Sequence, residues 1–433
     1  MNFVGEGQAI LSPNEQAWLN LLSDLANLLG SFLKGVVSMR VSLAALIAGA
    51  CLFAASASAD VYTITDLGTL GGANSSALDV NNDRQATGNS SLASLELGAT
   101  GSTLRAFAWS GGSGLTNLGS LPGATTNRFA RGYSINDAGI VVGEFNNDSS
   151  RAFVYDPVIG TMAGLTRLAG DTDNGVAHGI NNSGVIVGIS SNGAASRATK
   201  WTKSGGVYVA ADLGSVDGIS TSPARAWAVN EAGDAAGVSR NALGVSQATL
   251  WTGGSAVNLT SLGGGSLYSQ AFGLNDSNVV VGASVVGKVS PSSSTDLYRA
   301  FQWDGVNGIV ELPTLATQPT WIHSEAKDVN NSGVVVGNVA QLYGSPSFGG
   351  AAVAWIDGAI VNLNSLLPAG SGWNLLSAEG INDAGDIVGY GTIGGQSHAF
   401  LLTAAVPEPT AMTLVLSAAS GVLAVRRDRR RQR

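Results

Sequence analysis

Residues 135–143 read INDAGIVVG, and this stretch decides the fold because the chain repeats it. Asn136 follows an apolar residue, Asp-Ala-Gly is typical of a turn, and an apolar run then ends in Gly143. Asn and Asp side chains bond their own backbone in tight turns, and glycine supplies the positive φ that a hairpin requires. The stretch therefore predicts two strand ends joined by a structural turn.

Seven copies of this motif occur, and in each one the final Gly follows the Asn by seven positions. The motif asparagines are Asn81, Asn136, Asn181, Asn230, Asn275, Asn330 and Asn382. Each copy is followed by a segment of the Ala-Phe-x-Trp type, and a leucine-centred segment accompanies each repeat. Repeats of about 50 residues with four strand-like segments match the blades of a β-propeller.

The leucine-centred segment is out of phase with the others. It occurs once before the first motif, in residues 61–70 (VYTITDLGTL), and does not follow the last Ala-Phe segment at 398–402. An N-terminal strand that completes the last blade would join both ends of the ring and remove exposed sheet edges. The sequence therefore predicts an all-β, seven-bladed β-propeller over residues 60–404, with an open β-solenoid as the alternative.

The repeats resemble HAF-type extracellular repeats, named for a His-Ala-Phe triplet that this chain keeps at His398. The resemblance covers nearly all of residues 60–404. It implies a secreted, β-rich repeat protein and no established activity.

The N-terminal region has the features of a targeting segment. Residues 39–59 contain one arginine, an apolar stretch and small residues at Ala57 and Ala59. This order predicts a signal peptide cut before Asp60, with a first transmembrane anchor as the alternative. We expect translation to start at Met39, so that residues 1–38 are a mis-annotated extension. A genuine long leader is the other interpretation.

Residues 405–433 form a second targeting segment. A Pro-Glu-Pro triplet precedes an uncharged run, 411–425, which is followed by six arginines. The run gives roughly 22 Å of helix against a hydrocarbon core of about 30 Å, so it spans a membrane only marginally.

These three parts, in this order, resemble a PEP-CTERM sorting signal. The resemblance implies export through the Sec translocon, an inner-membrane intermediate and processing by an exosortase, a membrane protease. The residues that carry it are Val406, Pro407, Glu408 and Pro409. A plain C-terminal membrane anchor is the alternative.

Composition restricts the function. Residues 60–405 contain 14 Lys and Arg against 25 Asp and Glu, so the body lacks the basic surface that nucleic acid requires. The chain has a single cysteine, Cys51, which excludes an intramolecular disulfide. The three histidines are far apart in the sequence and lack the spacing typical of metal ligands. We therefore predict no metal and no cofactor. Calcium remains a rival interpretation of the Asn/Asp turns, although no copy has the alternating ligand spacing of a calcium loop.

Two sets of tryptophans are candidates for different roles. Aromatic residues recur at one blade position and are predicted to pack between blades; they are Trp109, Tyr155, Trp201, Trp251, Trp303 and Trp355. A sugar-stacking surface is the alternative. Trp321 and Trp373 fall outside this register and are predicted ligand contacts. The longest insertions, 89–104 and 283–298, are predicted to border one face of the ring. This face binds a ligand in one interpretation, and the insertions are surface loops without a role in the other.

No catalytic motif occurs: the chain has no Gly-x-Ser-x-Gly elbow, phosphate loop or His-Glu-x-x-His segment. We expect a non-enzymatic, monomeric protein with a structural or adhesive role at the surface or in the extracellular matrix of a Gram-negative bacterium. A lectin-like module for exopolysaccharide is the alternative, and a polysaccharide hydrolase or lyase is a third.

Overall fold

The computed structural model describes residues 62–404 except 95–103, 123–128, 147–148, 173, 194, 291, 316–320 and 342–349. In this part the chain forms 28 strands, which make seven four-stranded antiparallel sheets. The first strands of successive sheets contact one another in a closed cycle. The sheets are therefore the blades of a seven-bladed β-propeller, as predicted, and the open solenoid is excluded.

We call the strands of a blade a, b, c and d, from the axis outwards. Blades 1 to 3 comprise β2 (Gly71–Val80), β3 (Ala86–Leu92), β4 (Leu104–Ser110) and β5 (Gly114–Asn117); β6 (Phe129–Ile135), β7 (Val141–Asn146), β8 (Ser150–Asp156) and β9 (Thr161–Gly164); β10 (Gly175–Ile180), β11 (Ile186–Ser191), β12 (Ser196–Ser204) and β13 (Val207–Asp212).

Blades 4 to 6 comprise β14 (Ala224–Val229), β15 (Ala235–Arg240), β16 (Ser246–Thr252) and β17 (Ser255–Asn258); β18 (Ser269–Leu274), β19 (Val280–Lys288), β20 (Asp296–Asp304) and β21 (Gly308–Glu311); β22 (His323–Val329), β23 (Val335–Ala340), β24 (Gly350–Ile356) and β25 (Ala359–Asn362). A 3-10 helix, Leu363–Leu366, follows blade 6. Blade 7 comprises β26 (Trp373–Ile381), β27 (Ile387–Ile393), β28 (Gln396–Ala404) and, as its strand d, β1 (Tyr62–Gly68).

β1 closes the ring. It pairs antiparallel with β28, from Tyr62 opposite Ala404 to Gly68 opposite Ala399. Leu67 then packs in an apolar cluster shared by blades 7 and 1. The predicted role of the N-terminal strand is confirmed.

One apolar cluster fills each of the seven blade junctions. Trp201 of blade 3 packs with Val142 and Val154 of blade 2. Its Nε1 donates to the Thr166 carbonyl at 2.6 Å, and Trp251 and Trp355 make the same bond to Gly214 and Pro313. The prediction that the repeated aromatics pack between blades is confirmed.

The insertion at 283–298 lengthens a hairpin of blade 5. β19 and β20 continue to the pair Lys288 and Asp296, whose side chains form an ion pair at 2.6 Å. Of the insertion at 89–104, residues 95–103 lie outside the described part.

The predicted leader and sorting segments, including Ala57, Ala59 and residues 406–409, also lie outside the described residues. In the part that the structure describes, no helix has the length and apolar character needed to cross a membrane.

Candidate functional site

The turn between strands a and b has the same geometry in every blade. In blade 2 the Gly139 N–H donates to the Asn136 carbonyl at 2.9 Å, and Gly139 has φ 73°. Blades 1 and 5 place Arg84 and Asn278 at this position, each with φ 59°. Left-handed backbone is unfavourable for residues with a Cβ, which explains why the other five blades use glycine here. The predicted structural turn is confirmed.

The seven motif asparagines form a closed ring of hydrogen bonds around the axis, which we call the asparagine ring. Each Oδ1 accepts the backbone N–H four residues further on, at 2.8–3.0 Å. Each Nδ2 donates to the carbonyl of the motif asparagine in the next blade, at 2.8–3.4 Å, and Asn382 of blade 7 donates to Asn81 of blade 1. These side chains therefore hold turns and blades together.

The residues that follow the motif asparagines form a second ring, the rim. They are Asn82, Asp137, Asn182, Glu231, Asp276, Asn331 and Asp383. The backbone N–H of each donates to a side-chain oxygen of the next, at 2.8–3.1 Å, and the cycle closes from Asp383 to Asn82. Four of the seven are carboxylates, so the rim is acidic.

Every strand a carries a β-bulge just before its motif asparagine. In blade 2 the pairing register skips Tyr133, between Gly132 and Ser134, and the same skip occurs in the other six blades. Gly143 of the facing strand makes room for it, because a Cβ there would lie 1.9 Å from the carbonyl oxygen of Arg131. The glycine that ends each motif thus permits the bulge.

The bulged residues form a third ring, the bulge ring. Its members are Leu78, Tyr133, His178, Trp227, Phe272, Lys327 and Glu379. Together with the asparagine ring and the rim they line one cavity of about 520 Å³, to which all seven blades contribute. We call this cavity the cup. Its volume is in the range of small-molecule sites in proteins.

Four consecutive members of the bulge ring are aromatic. The ring centroids are 5.3 Å apart for Tyr133 and His178, 4.1 Å for His178 and Trp227, and 6.2 Å for Trp227 and Phe272. Burial lowers the pKa of His178 to about 3, so its imidazole is neutral, and its Nδ1 lies 3.0 Å from the Ala226 carbonyl. This aromatic arc forms one side of the cup.

Charged residues continue the bulge ring from the end of the arc. Lys327 Nζ lies 4.7 Å from the Phe272 ring centroid and forms an ion pair with Glu325. Burial lowers the pKa of Lys327, but Glu325 and Glu379 outweigh it and hold the pKa above its ordinary value. Glu379 accepts a hydrogen bond from the Ser377 hydroxyl at 2.5 Å.

Two aspartates in the wall of the cup bond across blade junctions. Asp328 accepts the Ile381 N–H at 3.0 Å, and Asp79 accepts the Ile135 N–H at 2.9 Å. Burial raises the pKa of Asp328 to about 7 and that of Asp79 to about 6, although the hydrogen bonds oppose the shift. Their equivalent in blade 5 is Gly273, where a Cβ would lie 2.8 Å from the backbone of blade 6.

Carboxylates dominate the charge of the cup. Of the described residues that line it, seven carry a carboxyl group, the two with a raised pKa included, and one, Lys327, carries an ammonium. Within the described ranges, no group of three or more His, Cys, Asp or Glu side chains is placed to hold a metal ion.

The predicted ligand contacts lie elsewhere. Trp321 is half-buried against the cluster between blades 5 and 6. Trp373 is half-buried at the start of β26, with its ring 6.2 Å from that of Phe400. The structure does not bring them to the cup, and their role in binding stays a prediction.

Sequence reasoning missed the bulge ring, although the repeats contain a signal for it. The residue three positions before the motif asparagine differs in every copy, from Leu78 to Glu379, while the motif around it is repeated. A variable position inside a constant motif indicates a side chain that the scaffold does not need.

A known family model matches only part of the chain. Residues 214–403 match the family model described as "Protein of unknown function (DUF3466)". No curated protein matches the chain.

Several solved structures are similar to it. A puromycin-hydrolysing peptidase of Mycobacterium tuberculosis is 13% identical, with a TM-score of 0.44 over 69% of this chain and 47% of that one. A puromycin hydrolase mutant complexed with PGG is 11% identical, with a TM-score of 0.38 over 76% and 58%. The chain thus spans about half the length of these two.

A mutant of the Aleuria aurantia lectin in complex with Fucalpha1-6GlcNAc is 16% identical, with a TM-score of 0.31 over 69% of this chain and 98% of that one. With identities and TM-scores this low, none of these structures indicates a ligand or an activity for this chain.

Proposed function

We propose that this protein is an exported, non-enzymatic adhesive propeller whose cup binds a saccharide. The observation that carries the proposal is the bulge ring: the seven blades differ at one position of a repeated motif, and all seven of those side chains line one cavity. Variable residues held by a rigid scaffold are where binding specificity usually lies.

The chemistry of the cup suits a sugar ring. The aromatic arc offers flat apolar faces to the C–H groups of a pyranose. The amides and carboxylates of the rim offer acceptors and donors to its hydroxyls. A cavity with an apolar side and a few convergent polar groups is the usual form of a small-ligand site.

Export is the second part of the proposal. The segment at 39–59 resembles a signal peptide, and the one at 405–433 resembles a PEP-CTERM sorting signal. We propose the Sec translocon and an exosortase as the partners during export, with an inner-membrane intermediate. The cell surface or extracellular matrix of a Gram-negative bacterium is the proposed destination, and exopolysaccharide the proposed partner there.

One observation favours a polysaccharide hydrolase or lyase instead. A carboxylic acid with a pKa of about 7, such as Asp328, can donate or accept a proton at neutral pH. However, its Oδ1 accepts the Val329 N–H at 2.8 Å and its Oδ2 the Ile381 N–H. Both oxygens are thus bonded to backbone in the wall, which supports the non-enzymatic role. Polysaccharide cleavage that Asp328→Asn abolishes would favour the enzyme.

Intrinsic fluorescence tests the site. The purified protein is titrated with oligosaccharides prepared from the exopolysaccharide of the native organism, with Trp227 as the reporter. Trp227→Leu is the informative variant, because Leu78 occupies the same bulge in blade 1. We expect the affinity of this variant for the oligosaccharide, measured by calorimetry, to be lower by about 10-fold or more.

Trp321→Leu and Trp373→Leu are the matched controls, and we expect both to bind normally. If either control lost binding while Trp227→Leu bound normally, the binding site would lie outside the cup.

A further inference from the structure

We infer that the ligand of the cup carries a positively charged amino group, which makes an amino sugar with a free amine the preferred saccharide. The inference rests on the proposed function, because it specifies the chemistry of the sugar bound there. Two independent features lead to it: the charge of the lining and the character of the aromatic arc.

The charge of the lining is the first feature. The rim contributes Asp137, Glu231, Asp276 and Asp383, and the bulge ring contributes Glu379. A concave surface lined by one sign of charge concentrates ligands of the opposite sign. A uronic acid or a sulfated sugar would bring further negative charge into this cavity and is therefore disfavoured.

Lys327 offsets only part of this charge. It forms an ion pair with Glu325, which does not line the cup. Glu379 also stabilises the Lys327 ammonium, and one of its oxygens accepts a bond from the Ser377 hydroxyl, so the four rim carboxylates carry the excess negative charge. The rim carboxylates accept hydrogen bonds from backbone N–H groups and asparagine amides, which fix their positions and leave their net charge in place.

The aromatic arc is the second feature. Ammonium groups are attracted to the faces of Trp, Tyr and Phe rings within about 6 Å of the centroid, and Trp is the best partner. Lys327 already makes this contact with Phe272, at 4.7 Å, so the geometry of the bulge ring accepts an ammonium at an aromatic face. Trp227 is the next ring along the arc, and His178 beside it is uncharged and does not repel a cation.

Four trisaccharide probes test the inference by calorimetry: a glucosamine trimer, its N-acetylated form, a glucose trimer and a galacturonic acid trimer. We expect the free amine to bind about 10-fold or more tightly than its N-acetylated form. We also expect its affinity to fall when NaCl rises from about 0.05 M to about 0.5 M, because screening weakens the attraction of the exposed carboxylates.

Variants that keep the fold locate the charge effect. Asp383→Asn and Asp276→Asn place at the rim the residue that three other blades already have there. We expect the double variant to lower glucosamine-trimer affinity by at least about 5-fold more than it lowers glucose-trimer affinity, because asparagine can still bond the hydroxyls of both sugars but carries no charge. Asp357→Asn is the matched control: Asp357 is exposed in a c–d turn, where its φ of 50° suits asparagine.

The outcomes separate the two proposals. Equal, salt-insensitive affinity for the glucosamine and glucose trimers would overturn the amine preference and leave saccharide binding in the cup intact. Tetramethylammonium is added as a fifth probe, a cation without a sugar. If it binds and no trimer binds, the result would contradict saccharide binding and support the preference of the cup for a cation. No binding of any probe by the folded protein would contradict both.

Discussion

The side chain of asparagine is required at one position of the repeat because it carries a donor and an acceptor together. Asn181 accepts the Val185 N–H at 2.8 Å within its own turn and donates to the Asn230 carbonyl at 2.8 Å in the next blade. Aspartate could close the turn but has no N–H to donate. The turn could be predicted from a single copy of the nine-residue motif. The bond between blades could not, because its acceptor belongs to another repeat.

The asparagine ring can be tested at Asn181. Asn181→Ala leaves the Val185 N–H and the Asn230 carbonyl without side-chain partners at a buried position, so we expect a loss of about 2–4 kcal/mol in the free energy of unfolding. Urea denaturation followed by circular dichroism measures it. Asn307→Ala, which removes the side-chain bond from Asn307 Nδ2 to Asp304 in an exposed turn, should cost less than about 1 kcal/mol. Equal losses would contradict the special role of the ring.

Asp328 should make stability depend on pH. Its pKa rises from 3.8 in the unfolded chain to about 7 in the folded protein, so the folded state binds the proton more tightly. The free energy of unfolding from this group therefore falls as pH rises from about 4 to about 7.

The variant Asp328→Asn removes this dependence. Its amide oxygen can accept the Ile381 N–H, but its NH2 group then faces the Val329 N–H, which costs the same at every pH. Because Asp328 is partly exposed to the cup, we expect the stability of the variant relative to the parent to be about 1–2 kcal/mol higher at pH 8 than at pH 4. A relative stability that does not change between these pH values would contradict the raised pKa of Asp328. Effects of His178, whose lowered pKa acts in the opposite direction below pH 6.5, cancel in this difference.

At the scale of the element, strands a and b depend on each other. The bulge in strand a projects a residue into the cup, and the facing glycine of strand b leaves space for the displaced carbonyl. Sequence alone predicted both strands and the turn, because their signals are local periodicity and turn chemistry. It did not predict the bulge, since a one-residue change of register depends on the pairing of two strands.

Gly143 tests this dependence. In Gly143→Ala the new Cβ would lie 1.9 Å from the Arg131 carbonyl oxygen, so the bulge must shift. We expect a loss of about 3 kcal/mol or more by urea denaturation. The matched control is Gly112→Ala, because a Cβ at Gly112 meets nothing within 4 Å. A Gly143→Ala protein as stable as this control would mean that the bulge does not need the glycine.

At the scale of the whole molecule, seven similar junctions make a ring in which each blade has two neighbours. The out-of-phase leucine segment was sufficient to predict this closure, and β1 confirms it. The cup could not be predicted in the same way. Its seven bulged residues lie 45 to 55 positions apart in sequence, and only closure brings them into one cavity.

Closure should also make unfolding cooperative. An open array of repeats can lose its terminal units first, but a closed ring has no terminal unit. We expect one transition, with the same midpoint by far-ultraviolet circular dichroism and by tryptophan fluorescence. Leu67→Ala, in the closing strand, should lower that single midpoint. A separate early transition for blade 7 would contradict this cooperativity.

The same closing pair determines how the molecule responds to tension. Tyr62 and Ala404 are opposite each other at one end of the β1–β28 ladder, so the chain leaves the domain at both ends from the same place. Pulling the two ends apart would load these hydrogen bonds one pair at a time, as in opening a zipper, and should separate β1 at low force. Pulling between the β28 end and a ligand held on the axis would load a strand that β1 and β27 hold on both sides. An adhesin of this design would resist tension best when it is tethered to the cell through the β28 end alone.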